Sequence, residues 1–306
     1  MESRPILVTG AHRSGTTWVG RMLSAHPQLA YISEPLNVWH RPGVMSAPVA
    51  KWYTYVFEGN EREYLPALRA MLAFRYRIGK EIVALRSFKD VLRMGRDLWG
   101  FLVARAWRQR PLIKDPFAVF SAAWFARRLD CRIVITVRHP AAFASSLKRL
   151  NWNFDFRNLL EQPGLMQAWL EEDRAEMEAV PGEDIIGQAA LLWRMIYRVV
   201  HSLHGLHPDF VVLRHEDLSQ DPLAGFQGLY ERLDLEFSAQ VAQVVLHSSS
   251  GDNPVELSRK KVHSVRMDSR SSLDNWKKRL SRDEVLQIRR KTEAVAHLYY
   301  TDSEWD

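Results

Sequence analysis

Short apolar runs alternate with longer stretches of helical spacing along this chain. Ile6-Leu7-Val8-Thr9, ending at Gly10, predicts a buried strand. Thr17 to Ala25 follows a helical pattern that stops near His26-Pro27. Further strands are predicted at Leu29 to Ile32, Pro111 to Lys114, Arg132 to Val137 and Phe210 to Leu213. The third of these four is the clearest. Residues 45–109 are mostly helical in character, and Ala118 to Leu129 reads as helix. Pro140 stands where a helix can open, and that helix continues to Leu150. Residues 165–204 predict two helices divided near Pro181-Gly182, followed by helices at 222–233 and 239–246. Ser281 with Glu284 has the form of a capping box, opening a last helix to about Tyr299. Apolar strands alternating with helices predict an α/β protein whose parallel sheet is covered on both faces.

Composition adds little to that picture and contradicts none of it. The 306 residues are 46% hydrophobic and 25% charged, the balance of an ordinary globule. No repeat, low-complexity tract or linker divides them, so a single domain over 1–306 is expected. Cys131 is the one cysteine, which excludes an intramolecular disulfide, and its apolar surroundings predict a core position. No signal-peptide pattern is present, and the longest apolar runs fall short of the ~20 residues of a membrane span. The expectation is a cytoplasmic protein with no transmembrane segment. The net charge of +6 suits a polyanionic ligand, as it suits many proteins with none. No nucleic-acid-binding motif accompanies it, and no nucleic-acid partner is expected.

Gly10-Ala11-His12-Arg13-Ser14-Gly15-Thr16-Thr17 lies between the first strand and the first helix. That context lets backbone N–H groups and a helix dipole face an anion. The spacing is that of G-x-x-x-x-G-K-[ST], with Thr16 at the lysine position. A three-layer, P-loop-type fold with a central parallel sheet is therefore expected. A nucleoside triphosphate site wants that lysine; here the cation is Arg13, whose fork can bridge two anionic oxygens. The same spacing also serves as a plain strand–turn–helix junction. A second feature follows the strand 132–137. Arg138-His139-Pro140 leaves the strand end, and Ser146 lies eight residues after Arg138 on the next helix. Both can reach one phosphate. Ser145 is adjacent to Ser146.

Arg13-Ser14-Gly15-Thr16-Thr17-Trp18, with Arg138 and Ser146, resembles the donor site of the sulfotransferases that use 3′-phosphoadenosine-5′-phosphosulfate (PAPS). The resemblance implies that Arg13 contacts the bridging oxygen and the transferred sulfonate. It places the 5′-phosphate on the loop through Thr17, the adenine against Trp18, and the 3′-phosphate on Arg138 and Ser146. Trp18 reads equally well as a core indole. Leu213-Arg214-His215-Glu216-Asp217-Leu218 is similar to the family's Y-E-D-L segment, with His215 in place of tyrosine. Glu216 and Asp217 there read as structural, ordering the turn and capping the next helix. Asn275-Trp276-Lys277-Lys278 resembles the W-K segment after the family's last phosphate-binding loop. The R-K-G triplet is missing, leaving Arg270 as the nearest candidate for the 3′-phosphate, with Lys260, Lys261 and Arg266 as competitors.

The resemblance implies PAPS as co-substrate, adenosine 3′,5′-bisphosphate as product, and no metal. Transfer needs a base for the acceptor hydroxyl and cations for leaving-group charge. Glu34, in Ser33-Glu34-Pro35 at the second strand's end, is the favoured base, with His40 as runner-up. Glu34 reads alternatively as an ion-pair partner that orders the loop. Lys114 matches the family's lysine in Ile113-Lys114-Asp115-Pro116, but no histidine follows it. That departs from the steroid and phenol branch and favours the carbohydrate and tyrosylprotein branches. Lys114 is an expected electrostatic helper, and Asp115 orients it or binds acceptor. The acceptor is expected to be a small molecule or glycan, met by 37–60 and 151–180, where Trp39, Trp52, Tyr53, Tyr55, Trp152 and Phe154 lie. The basic, aromatic stretch 86–110 fits an acidic glycan, a peripheral membrane contact, or simply a helix with one wet face. The rival functions are a P-loop small-molecule kinase and a non-catalytic module for adenosine 3′,5′-bisphosphate.

Overall fold

Alternate residues of the central strands enter different cores, as a strand buried on both faces requires. Ile6, Val8, Leu112 and Val134 join one cluster; Leu7, Ile113, Ile133 and Ile135 join the other. The computed structural model describes residues 4–256 and 265–306. Its strands are β1 (Ile6–Gly10), β2 (Leu29–Ser33), β3 (Arg110–Lys114), β4 (Arg132–Val137) and β5 (Val211–Arg214). They form a parallel sheet in the order β2-β3-β1-β4-β5. Helices cover both faces, giving the expected three layers. From β1 the chain builds β2 and β3 on one side, then β4 and β5 on the other. The crevice of such a sheet lies where the order reverses, outside the carboxyl ends of β1 and β4.

Two glycines let the chain turn at that point. Gly10 has φ 144°, and a Cβ there would stand 2.5 Å from the Thr136 carbonyl oxygen. Gly15, at φ 98°, caps helix α1 (Thr16–Leu23), and a Cβ on it would stand 2.6 Å from Nδ1 of His215. Neither site admits a side chain without a shift of β4 or His215.

Every strand lies within a residue or two of the sequence expectation, as do the helices at 16–23, 140–150, 185–206 and 222–232. The capping box of Ser281 and Glu284 is present and opens the helix Arg282–Ala296. Three stretches differ. Residues 45–60 were expected to be mostly helical and instead form turns and extended chain before α2 (Glu61–Leu72). Their backbone donors are met by side chains from elsewhere: Val56 N–H by Ser121 Oγ at 2.8 Å, and Tyr55 N–H by Gln162 Oε1 at 2.8 Å. Helices α3 (Ile78–Ala84) and α4 (Phe88–Ala106) follow. Residues 116–121 wind as a 3₁₀ turn from Pro116, capped by Asp115, before α5 (Ala122–Leu129). Residues 163–179 break into short turns and one helix, Arg174–Ala179, ahead of the long helix Ile185–Leu206. The predicted division at Pro181-Gly182 is where the break falls.

Candidate active site

The carboxyl ends of the strands carry Arg13 after β1, Glu34 after β2, Lys114 on β3, Arg138 after β4 and His215 after β5. The 5′-side of the site is the turn into α1. No side chain caps α1, so its first N–H groups keep their capacity for an anion. Arg13 adopts φ 67°, a sparsely populated conformation for a side chain of its size. Its Nε donates to Ser146 Oγ at 3.2 Å, joining the loop to α6 (Pro140–Leu150). Burial first, then Arg138 and Arg149, bring the Arg13 guanidinium down to about 10. It is still charged at neutral pH, and it stands among other cations.

Arg138 donates to the Arg13 carbonyl at 3.0 Å, and its own carbonyl accepts the Trp193 indole N–H at 2.7 Å. Its Nε is buried without a hydrogen-bond partner among the described residues. Burial is the main cause lowering its pKa, with Arg279 and Arg149 adding to it against Glu216 and Tyr300. Arg13, Thr16, Thr17, Arg138, Ser146, Arg149 and Arg279 line one cleft with Trp18 and His215. Ser146 faces this cleft, whereas Ser145 is buried beside it and accepts from Arg279 at 3.3 Å. Arg149 and Arg279 also hold Glu256, at 3.4 and 2.9 Å, the only carboxylate among the cleft's described residues.

Glu34 has φ 50° and is fastened by its N–H to the Lys114 carbonyl at 2.7 Å. Its carboxylate pairs with the Lys114 ammonium, and its second oxygen accepts from Asn37 Nδ2 at 2.7 Å. Lys114 is buried, so the pair is largely desolvated on the lysine side. Asp115 does not hold Lys114. It accepts the Leu36 and Phe117 N–H groups at 2.5 and 2.9 Å, which fixes the chain on either side of Glu34's turn. Burial pushes Asp115 up to about 7, against the pull of those two donors. Glu34 lies in a groove with Asn37, Trp39, His40 and Trp99 rather than in the arginine cleft. His12 feels the charge of both Arg13 and Glu34, and its Nδ1 is 2.6 Å from the Tyr53 hydroxyl. His40, the runner-up base, has Nδ1 2.9 Å from the Asn37 carbonyl and is held neutral mainly by burial.

A family model described as "Sulfotransferase family" matches residues 5–239. The chain belongs to the sulfotransferase family. It is an enzyme that transfers sulfonate. The sulfotransferase domain from the curacin biosynthetic pathway has the same fold at a TM-score of 0.52 and 17% identity, over 97% of this chain and 98% of that one. The sulfotransferase domain of the Synechococcus PCC 7002 olefin synthase scores 0.47 at 17% identity, covering 97% and 95%. A mouse sulfotransferase, SULT7A1, complexed with PAP, scores 0.42 at 12% identity, covering 97% and 88%. No curated protein matches the chain significantly.

Several expected site residues of this sulfotransferase stand elsewhere. Ser14 points inward: its hydroxyl meets Ala11 O at 2.6 Å and Thr136 Oγ1 at 2.7 Å, and its N–H is bonded to Ala11 O. Trp18 packs edge-on to Phe226 at 5.1 Å, as a core indole does, and also borders the cleft. Arg270 is at the surface with Nε on the Gln220 carbonyl at 2.7 Å, outside the cleft lining; Arg279 enters from the same segment instead. Arg266 is exposed and does not line the cleft, and Lys260 and Lys261 lie outside the described residues. Glu216 orders the turn by accepting His139 N–H and the Tyr300 hydroxyl, both at 2.9 Å. The cap of the helix after it is Asp221, not Asp217. Among the aromatics, Tyr53 and Phe154 are core, whereas Trp152 is about half-exposed and lies 5.9 Å from the Arg13 guanidinium.

His139, between the arginine and the proline of its motif, supports the site from below. Its ring stacks on Trp276 of the W-K segment at 5.4 Å and meets Trp305 edge-on at 4.5 Å. Neither ring nitrogen has a partner among the described residues. Burial holds this imidazole down at about 3 from an ordinary 6.5. A depressed histidine contributes stability above about pH 6.5 and loses it as pH falls toward 3, at about 1.4 kcal/mol per unit. His139→Phe is expected to flatten the decline in urea midpoint between pH 7 and 5 relative to wild type. An unchanged slope would show that His139 is not neutral in the folded protein.

Proposed function

We propose that this sulfotransferase takes PAPS as its donor, releases adenosine 3′,5′-bisphosphate, and sulfates a hydroxyl on a small molecule or glycan. Residues 1–306 act as one domain in this reading, and the cytoplasm is its place of work. What carries it is the Arg138 guanidinium, buried with Nε unpartnered and surrounded by Arg13, Arg149 and Arg279 around one cleft. Cations collected at such cost are stable against a ligand of several negative charges. The two ends of the cleft fit the two ends of the donor: Gly15, Thr16 and Thr17 with Arg13 for the 5′-phosphosulfate, and Arg138 with Ser146 for the 3′-phosphate. Arg149 and Arg279 join the second set in place of Arg270. Trp18 and the unpartnered Nδ1 of His215 border the space left for the base.

PAPS supplies an activated sulfonate whose departure leaves charge on the 5′-phosphate side. Arg13 and the α1 N–H groups stabilise negative charge there. Glu34 takes the acceptor proton, held in place by Asn37 and Lys114. Lys114 pairs with Glu34 and adds positive potential at the carboxyl edge of the sheet. His40 is the second candidate for the proton, from the same groove.

The test is calorimetric titration of the full chain with adenosine 3′,5′-bisphosphate, against AMP and ATP with magnesium. Binding is expected to need the 3′-phosphate and to weaken about 30- to 100-fold in Arg138→Ala, the loss of one charge-assisted hydrogen bond. Equal affinity for AMP, or preference for ATP, would overturn the donor assignment and bring the kinase forward.

A further inference from the structure

We propose that the outer face of α4, continued by α3, docks this protein on an anionic lipid bilayer. Helix α4 has two apolar faces on opposite sides. The inner one packs conventionally: Phe101 lies edge-on to Phe74 and Tyr76 at 5.7 and 5.6 Å, and Ala104 is buried. At 100° per residue, Phe88, Val91, Leu92, Trp99 and Leu102 fall on the opposite side. They are exposed: Phe88 by 75%, Trp99 by 68%, Leu92 by 60% and Leu102 by 52%. Ile82 and Val83 of the preceding α3 and Trp107 after α4 are exposed as well, at 53, 87 and 79%. The helix therefore lacks the single wet face that its charged residues suggest in sequence. A contiguous apolar face of this size marks an interaction surface.

Charge chooses the occupant. Residues 78–110 hold eight basic residues and three acidic ones. The acidic three are spent within the protein: Glu81 and Asp97 on Arg41, and Asp90 on Ser87 and Arg93. Lys89 and Arg96 flank the apolar stripe on one side and Arg105 on the other; Lys89 and Arg105 have no acidic partner among the described residues. A second copy docked face to face would set these cations against their own images. Anionic headgroups meet them favourably while the acyl boundary takes the stripe, and Trp99 with Phe88 suits that boundary. Trp99 also lines the groove that holds Glu34, so docking sets that groove beside the bilayer. Attachment of this kind is independent of the donor.

Flotation of the full chain with lipid vesicles tests it. Vesicles of phosphatidylcholine with about one-third phosphatidylglycerol are expected to retain the protein at least about tenfold better than phosphatidylcholine alone, and to release it in about 0.5 M salt. Phe88→Glu with Leu92→Glu should abolish retention while leaving the melting temperature and adenosine 3′,5′-bisphosphate binding unchanged. Should that variant fold poorly, Lys89→Gln with Arg105→Gln should lose the anionic preference on an intact apolar face. Equal retention by both vesicle types, or retention that survives both variants, overturns the proposal. So does a failure to bind vesicles accompanied by a concentration-dependent dimer that the glutamate variant dissociates, which assigns the face to a second copy.

Discussion

Arg13→Ala is expected to lower turnover about 10²–10³-fold, the effect of removing one preorganised donor from developing charge. The residue is placed at some cost. Its backbone is left-handed without being glycine, and its guanidinium is crowded by Arg138 and Arg149 after paying for burial. Such strain persists where surrounding structure over-determines it, here through the Arg138 bond to its carbonyl and the Ser146 bond to its Nε. The loss should fall on the chemical step, so adenosine 3′,5′-bisphosphate binding should weaken by much less than turnover. Single-turnover release of adenosine 3′,5′-bisphosphate from PAPS, over a panel of simple alcohols and sugars, separates the two. Arg13→Lys keeps the charge and loses the fork, and should recover only part of the rate. Near-normal turnover in Arg13→Ala would leave the residue as a strut between the loop and α6.

The strands and the two motifs at their carboxyl ends were legible because each is local. Residues 133–137 are β-branched without interruption, and Gly10 and Gly15 stand at the turn whose backbone demands them. The remaining cations of the cleft were not legible. Arg149 leaves the end of α6 and Arg279 follows the buried Trp276, and only the tertiary path brings them within reach of one Glu256. Arg270 was the nearer choice by spacing, yet the turns at 268–276 send it to the Gln220 carbonyl. Trp276 was the available signal: anchored under His139, it puts Arg279, three residues on, at the cleft. Residues 45–60 were misread: Pro48, Gly59 and the aromatic and β-branched run 52–57 are poor helix formers, and Ser121 and Gln162 take the backbone donors of Val56 and Tyr55. Ser14 reads as a donor in sequence since its inward rotation depends on Thr136, a strand away.

Glu34→Gln carries the other large expectation, a loss of transfer of about 10³-fold, within the range for removal of a general base. The substitution keeps shape and the Asn37 contact and removes the charge. It also strands Lys114, buried with its ammonium facing a neutral amide, and an uncompensated buried charge can cost about 3–5 kcal/mol. Loss of rate alone would thus not separate a base from a structural partner. Glu34→Gln combined with Lys114→Met removes both charges and should restore most of the stability. If Glu34 takes the proton, the single variant binds adenosine 3′,5′-bisphosphate normally yet is inactive, and the double variant is as stable as wild type and still inactive. If the carboxylate only compensates Lys114, the single variant's loss of activity follows its lost stability and eases in assays well below its melting temperature. A Glu34→Gln enzyme that keeps more than about a tenth of its turnover moves the proton to another group, and His40, in the same groove, becomes the residue to replace.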